Sequence, residues 1–236
     1  MAEALGGVAT DWSLVLDAGA DGERKRRALE RLCRTYWQPV YAFIRRLGHD
    51  RDQAKDLTQG LFAHLLESEF FGTARPERGS FRAYLRQACR LFLGNEWQKR
   101  MAEKRGGGTI VVPWDEFVAR DEDPAVENLD PAAIYDRQWA HALLRSALRR
   151  LEEEYATSGD SAEFDALRRY LTVRPLPGDY DQLAARLGLA RGTVPVRVHR
   201  LGKRYQELIR AEVAATVATR SEVDAELRHC LAALSR

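Results

Sequence analysis

The fold is decided by the stretch YDQLAARLGLARGTV, which spans residues 180–194. Leu183 and Ala184 are placed for the buried face of a short helix, and Gly188 offers the tight turn that ends it. A second helix begins a few residues later, with Val194 facing inward. The small side chain of Ala184 lets the two helices approach each other. This pattern predicts a helix-turn-helix.

The segment that follows the turn carries a concentrated positive charge. Between residues 191 and 210 six basic side chains oppose one acid, so the span carries +5, while the whole chain carries only +2. The first side chains of a recognition helix point at base edges, and later basic ones reach phosphates. We interpret the segment as DNA-binding, with a solvated basic helix as the alternative. Its basic residues are Arg191, Arg197, Arg200, Lys203, Arg204 and Arg210.

Pro195 is an unusual residue to find so close to the start of this second helix. Proline has no N–H and is tolerated only in the first helical turn. We therefore expect Thr193 to be the N-cap and Pro195 to lie in the first turn, with a kinked helix as the alternative.

A second basic segment covers residues 81–105, where seven basic side chains oppose two acids and the charge is again +5. Asn95, Trp97 and Gln98 interleave with Lys99 and Arg100 beyond the end of its apolar stripe. Exposed aromatic rings beside cations suit stacking on unpaired bases. Ordinary core packing of Trp97 is the alternative interpretation.

The remaining periodic segments also predict helices. They span residues 23–38, a restart at Pro39 that continues to Leu47, then 51–67, 131–155, 161–171, and a final helix from Ser221 to Leu234. Residues 109–130 differ, because seven acids oppose one base and no helical stripe is present. A charge of −6 with two prolines is typical of a linker.

We therefore predict an all-α protein with two small helical domains. The first covers residues 10–105 and the second, with the helix-turn-helix, residues 131–220. Residues 106–130 form the acidic linker between them, and residues 221–236 form a C-terminal amphipathic helix that either packs on the second domain or binds a regulator.

Composition and motifs disfavour several other classes of protein. The three cysteines are scattered, which is typical of a reduced cytosolic chain and predicts no metal site. The first residues lack the pattern of a secretory signal, and no apolar run is long enough to span a bilayer, so we expect a cytoplasmic protein without membrane insertion. We find no phosphate-binding loop, catalytic triad or paired carboxylates, and we expect neither a cofactor nor enzymatic activity.

Four segments in this order resemble the extracytoplasmic-function (ECF) group of sigma-70-like factors. Trp37–Phe43 and Asp56–Leu66 look like regions 2.1 and 2.2, Phe81–Arg90 looks like the F-R-A-W-L element of region 2.3, and residues 180–204 are similar to region 4.2. Residues 135–140 and 201–213 look like a planctomycete-type branch. The resemblance implies a subunit that directs RNA polymerase to promoters.

The resemblance also implies a role for each matching residue. Those implied to meet the melted −10 element are Asn95, Trp97, Gln98, Lys99 and Arg100, with the loop 70–79 holding a flipped base. Those implied to bind the −35 element are Arg191, Thr193, Arg197, Arg200, Lys203 and Arg204. Asp56, Gln59 and Phe62 are implied to contact the β′ clamp helices of core polymerase, whose β flap is a further implied partner.

Some features depart from the family pattern or leave alternatives open. Tyr84 stands where tryptophan is common, and Gly60 stands where an acid is frequent. The acidic linker is implied to thread through the polymerase, and an anti-sigma factor or another regulator is an optional partner. A stand-alone helix-turn-helix regulator and a sigma-fold adaptor without promoter activity are the alternative functions.

Overall fold

The protein is all-α over the residues that the computed structural model describes, which are 23–67, 80–105 and 130–235, and none of these forms a strand. The helices are α1 (Glu23–Arg46), α2 (Arg51–Glu67), α3 (Phe81–Arg105), α4 (Pro131–Ser158), α5 (Ser161–Leu167), α6 (Asp179–Leu187), α7 (Thr193–Ala215) and α8 (Val223–Leu234), with 3₁₀ turns at Arg168–Leu171 and Arg220–Glu222. The predicted fold class is confirmed.

The chain divides into two compact units. Among the described residues, the N-terminal unit contains those up to Ala142 together with those from Val213 onward, and the helix-turn-helix unit contains Leu143–Glu212. Residues 131–142 and 213–236 thus group with the N-terminal unit, which differs from the boundaries drawn on sequence. The physical reason is tertiary packing. Trp139 contacts Tyr36 of α1 and Phe81 of α3, and Glu226 pairs with Arg82 of α3.

An aromatic cluster forms the core of the N-terminal unit. Tyr36 of α1 stacks on Trp139 of α4, with ring centroids 4.2 Å apart and planes 8° from parallel. Phe43 meets Tyr135 edge to face at 5.7 Å, and Phe81 of α3 lies 5.9 Å from Trp139. Such ring pairs add about 0.5–1.5 kcal/mol each beyond their burial. The start of α4 is therefore part of the core that α1 and α3 build.

The predicted helix restart at Pro39 is wrong, because α1 continues through this proline without interruption. Tyr36 and Val40 on either side are fully buried, and the same face continues to Phe43 and Ile44. An interior proline costs about 3 kcal/mol, but burying two helical turns of large apolar side chains outweighs that cost.

The caps of several helices follow the sequence. Gln53 N donates to Asp50 Oδ1 at 2.8 Å, which caps α2, and Ala132 N donates to Asp130 Oδ1 at 3.1 Å, which caps α4. The final helix does not begin at Ser221, as predicted. Thr219 and Glu222 form a capping box on a 3₁₀ turn, and α8 begins after it.

The helix-turn-helix unit packs four helices around one apolar cluster. Its buried members are Ala147 and Leu151 of α4, Phe164, Ala166 and Leu167 of α5, Leu183 and Ala184 of α6, and Val194, Leu201 and Leu208 of α7. Gly188 ends α6 in the left-handed region with φ of 64°, and Leu189 N donates to Ala184 O at 3.0 Å. These contacts hold α7 at a fixed angle to α6.

Replacing Gly188 with alanine should destabilise the protein by about 1 kcal/mol, because an L side chain is disfavoured at this positive φ. Gly202→Ala is the matched control. Both positions leave open space around a new methyl group, but Gly202 lies inside α7, where alanine is favoured by up to about 1 kcal/mol. Urea unfolding of both variants checks the signs, and a neutral Gly188→Ala would contradict the turn geometry.

Candidate nucleic-acid interface

Helix α7, the predicted recognition helix, begins at Thr193, whose N–H donates to Ala190 O at 2.9 Å. Pro195 is the third residue of the helix, so its predicted place in the first turn is confirmed. The N–H groups of a first turn have no helical acceptor, and a proline there removes no hydrogen bond. The prediction that Thr193 is the N-cap is wrong, because Thr193 is the first residue of the helix itself, and it is half-buried.

The outer face of α7 is polar and basic. Arg200 and Lys203 are exposed there, and Val194 and Leu201 face the core on the other side of the helix. His199 is also exposed and lies one turn before Lys203. Sequence reasoning missed His199 because a count of permanent charges ignores a neutral imidazole, although the helical period places it on this face.

Three other predicted DNA-binding arginines are paired with acids of their own unit. Arg204 Nε and Nη2 donate to the two carboxylate oxygens of Glu154 at 2.8 and 2.7 Å. Arg197 Nη1 lies 3.4 Å from Glu163 Oε1, and Arg191 forms an ion pair with Asp181. The positive charge of these residues is therefore partly neutralised, whereas Arg200 and Lys203 present theirs to solvent.

The Glu154 carboxylate stays ionised at neutral pH. Hydrogen bonds from Arg204 lower the pKa of Glu154 below its ordinary 4.5. A carboxyl group whose pKa is lowered by folding stabilises the fold above its unfolded pKa and loses that contribution as the pH falls through the folded value. Arg204 is consequently held by Glu154 under all but acidic conditions.

The second half of α3 presents its predicted residues on an extended surface. Asn95, Gln98 and Arg100 are exposed, and Trp97 is half-buried. Lys99 Nζ lies 2.7 Å from Glu96 Oε1 one turn away. The structure thus brings an aromatic ring, two amides and two cations together on one short stretch of helix.

The first half of α3 presents less positive charge to solvent than its sequence suggests. Arg82 is buried in ion pairs, Arg86 Nη1 lies 3.2 Å from Asp136 Oδ1, and the Arg90 guanidinium lies over the ring of Phe43. Beyond Gly94 the helix carries four basic residues and two acids, a net charge of +2, and Arg90 adds one exposed cation before that point. A charge sum along the sequence does not distinguish buried from exposed arginines.

The α2 residues assigned to polymerase contact are divided between surface and core. Asp56 and Gln59 are exposed, but Phe62 is only 4% exposed and stacks on Trp37 at 6.0 Å. Asp52, which the sequence reasoning passed over, is exposed one turn before Asp56. Gly60 lies against α3, where a Cβ would stand 3.1 Å from Phe92 Cζ. Close helix packing therefore accounts for this glycine.

Two predicted sites, the flipped-base loop 70–79 and residues 106–129 of the acidic linker, lie outside the described residues. Within the described ranges no group of three or more histidine, cysteine or acidic side chains is placed to hold a metal ion. No helix in those ranges is both long and apolar enough to cross a bilayer.

Replacing Glu154 with glutamine should strengthen DNA binding by the helix-turn-helix unit, because it removes one of the two acids that hold Arg204 and so favours a phosphate contact. The other acid is Glu207, whose Oε2 lies 3.0 Å from Arg204 Nη1. The slope of log affinity against log salt should steepen by about 0.9, the value for one further phosphate contact. Fluorescence anisotropy of the full chain on duplex DNA between low and moderate salt measures this slope.

Glu152→Gln is the matched control, since it removes the same charge from an exposed position on the same helix. Equal salt slopes for Glu154→Gln and Glu152→Gln would show that the Glu154 contact does not restrain Arg204.

Comparison with known proteins gives one informative similarity. No family model matches the chain, and no solved structure matches it significantly. The chain is 28% identical over 188 residues to the ECF RNA polymerase sigma factor SigE of Mycolicibacterium smegmatis. The matched part covers 79% of this chain and 63% of that protein, so the chain spans less than two thirds of the relative's length. This similarity supports a relationship to ECF sigma factors.

Proposed function

We propose that this protein is an ECF-type RNA polymerase sigma factor of the planctomycete-type branch, which binds core polymerase and directs promoter-specific initiation. The similarity to a sigma factor carries the proposal, because it covers 79% of the chain and therefore extends over both compact units. The relative is only distantly similar, so the residue roles rest on the geometry of the two units.

The helix-turn-helix unit would bind the −35 element through the outer face of α7. Arg200 and Lys203 provide exposed charge for phosphates, and Thr193 lies at the start of the helix, where recognition helices meet base edges. Arg191, Arg197 and Arg204 would exchange their acidic partners for phosphates on binding. The number of ion pairs is retained in this exchange. In the free protein the acidic partners offset part of the positive charge of these arginines.

The N-terminal unit would bind the −10 element through the second half of α3. Trp97 and Arg100 offer a ring and a planar guanidinium for stacking on unpaired bases, and Asn95 and Gln98 offer amide groups that hydrogen-bond base edges. Lys99 adds a cation near the strand. A single helix would in this way hold one strand after the duplex opens.

Core polymerase would bind the exposed face of α2, where Asp52, Asp56 and Gln59 recur at helical spacing. Phe62 would act indirectly, by packing α2 against Trp37. The β′ clamp helices are the proposed partner of this face and the β flap that of the helix-turn-helix unit. In this function the chain is a cytoplasmic specificity subunit that carries no active site of its own.

Reversing the charge of Asp56 should weaken binding to core polymerase by at least about 10-fold, since like charges across an interface are strongly unfavourable. Asp56→Lys is measured by equilibrium binding of the full chain to purified bacterial core enzyme. Glu152→Lys, at an exposed acid on α4, is the control and should bind like the natural sequence. A stand-alone regulator would not bind core polymerase at all, which would contradict the proposal.

Arg200→Ala and Lys203→Ala should each reduce the salt slope of −35 duplex binding by about one unit, as expected for a lost phosphate contact. Binding to core polymerase should not change. Gln206→Ala, an exposed neutral residue further along α7, serves as the control. Unchanged slopes in both arginine and lysine variants would favour a sigma-fold adaptor that does not use DNA.

A further inference from the structure

Arg82, the second residue of α3, is a buried cation held by two distant segments of the chain. Arg82 is only 7% exposed. Nε lies 2.8 Å from Glu226 Oε1 of α8, and Nη1 lies 2.7 Å from Asp136 Oδ1 of α4. Glu226 is itself 8% exposed. All three residues belong to the N-terminal unit.

The position of Arg82 depends on its partners, because a buried charge that loses a partner destabilises the protein. Burial acts to lower the pKa of Arg82, but hydrogen bonds and charge from Glu226 and Asp136 outweigh it and raise the pKa. Removing one member of a buried pair leaves an uncompensated charge and is strongly destabilising. Glu226 is therefore a requirement for the observed position of Arg82.

The C-terminal segment also holds the backbone at the start of α3. Phe81 N donates to Thr216 O at 2.8 Å, which satisfies one of the N–H groups that a helix start leaves without an internal acceptor. The carboxylates of Glu226 and Asp136 lie near this positive end of α3 and favour the same arrangement.

Further contacts fasten α8 to the rest of the unit. His229 Nε2 lies 2.9 Å from Asp136 Oδ2, and Asp136 also forms an ion pair with Arg86. Val223, Cys230 and Ala233 bury the inner face of α8. The helix is thus a packed component of the N-terminal unit, although it follows the helix-turn-helix unit in the sequence.

We propose that the C-terminal helix α8 is a positioning element for −10 recognition, which fixes the start of α3 through the Glu226–Arg82 pair. This inference rests on the proposed function. α3 is one continuous helix, and Asn95 lies 13 residues beyond Arg82, about 20 Å along its axis. Fixing the first turn of a rigid helix sets the direction in which Asn95, Trp97 and Arg100 project.

The location of the contact favours a role of α8 in positioning α3 over a role in covering its proposed DNA-binding residues. The ion pairs that join α8 to α3 are formed at Arg82, at the opposite end of α3 from the residues proposed to bind DNA. An inhibitory helix would be expected to cover Asn95 and Gln98, and both are exposed in this structure. Loss of α8 contacts is therefore expected to weaken −10 binding.

The test compares four full-length variants with the natural sequence. Glu226→Gln and Arg82→Met each break the pair, and the double variant Arg82→Met/Glu226→Leu replaces both charges by apolar side chains of similar size. Arg228→Gln removes an exposed charge from the same helix and is the control. The double variant should fold even where a single one does not, because an apolar pair often replaces a buried ion pair without loss.

The first measurement is amide hydrogen exchange in the opening turns of α3. Exchange there should become at least about 10-fold faster in Glu226→Gln and Arg82→Met, and should largely return to the natural rate in the double variant. Exchange in α6, which belongs to the other unit, should not change. Natural exchange rates in α3 of both single variants would overturn the proposal, whether or not the protein is a sigma factor.

The second measurement is binding of the variants, assembled with core polymerase, to a single-stranded −10 promoter strand and separately to a −35 duplex. Glu226→Gln should weaken binding to the −10 strand by about 10-fold and leave −35 binding unchanged. Tighter binding of the −10 strand by Glu226→Gln would overturn positioning in favour of occlusion. If the natural sequence does not bind core polymerase, the proposed function fails, and hydrogen exchange alone still decides the structural claim.

Discussion

A buried guanidinium needs carboxylate partners close by, and in this protein that requirement joins three segments that are far apart in sequence. Arg82 at the start of α3 is held by Asp136 near the start of α4 and by Glu226 in α8. Asp136 precedes the helix-turn-helix unit and Glu226 follows it. The Arg82 side chain therefore binds one segment that precedes the helix-turn-helix unit in sequence and one segment that follows it.

The remaining architecture is consistent with this constraint. The aromatic rings of Tyr36, Phe81 and Trp139 are buried against one another in the same unit. The helix-turn-helix unit has an apolar cluster of its own. Glu154 and Glu163 hold two of its arginines, whereas Arg200 and Lys203 stay exposed. The two candidate DNA-binding surfaces thus have independent structural support.

Local features of the fold could be predicted from sequence, and tertiary ones could not. Gly188 and the apolar spacing around it define the turn, because helix ends and turns depend on a few neighbouring residues. The charge count over residues 81–105 included Arg82, and the family resemblance implied a polymerase contact for Phe62, but both residues are buried. Only tertiary packing decides which arginine or aromatic residue is buried. The helix restart predicted at Pro39 is wrong for the same reason, because packing of the buried residues on both sides overrides the helix-breaking preference of proline. The partnership of Glu226 with Arg82 spans 144 residues and leaves no local pattern.

The most direct test of sigma-factor function is transcription in vitro with bacterial core polymerase on a library of genomic fragments from the source organism. The purified chain should start transcripts at discrete positions that share a common upstream sequence, and core polymerase alone should not. Failure to start specific transcripts from any fragment, by a protein that is folded and binds core polymerase, would contradict the proposal.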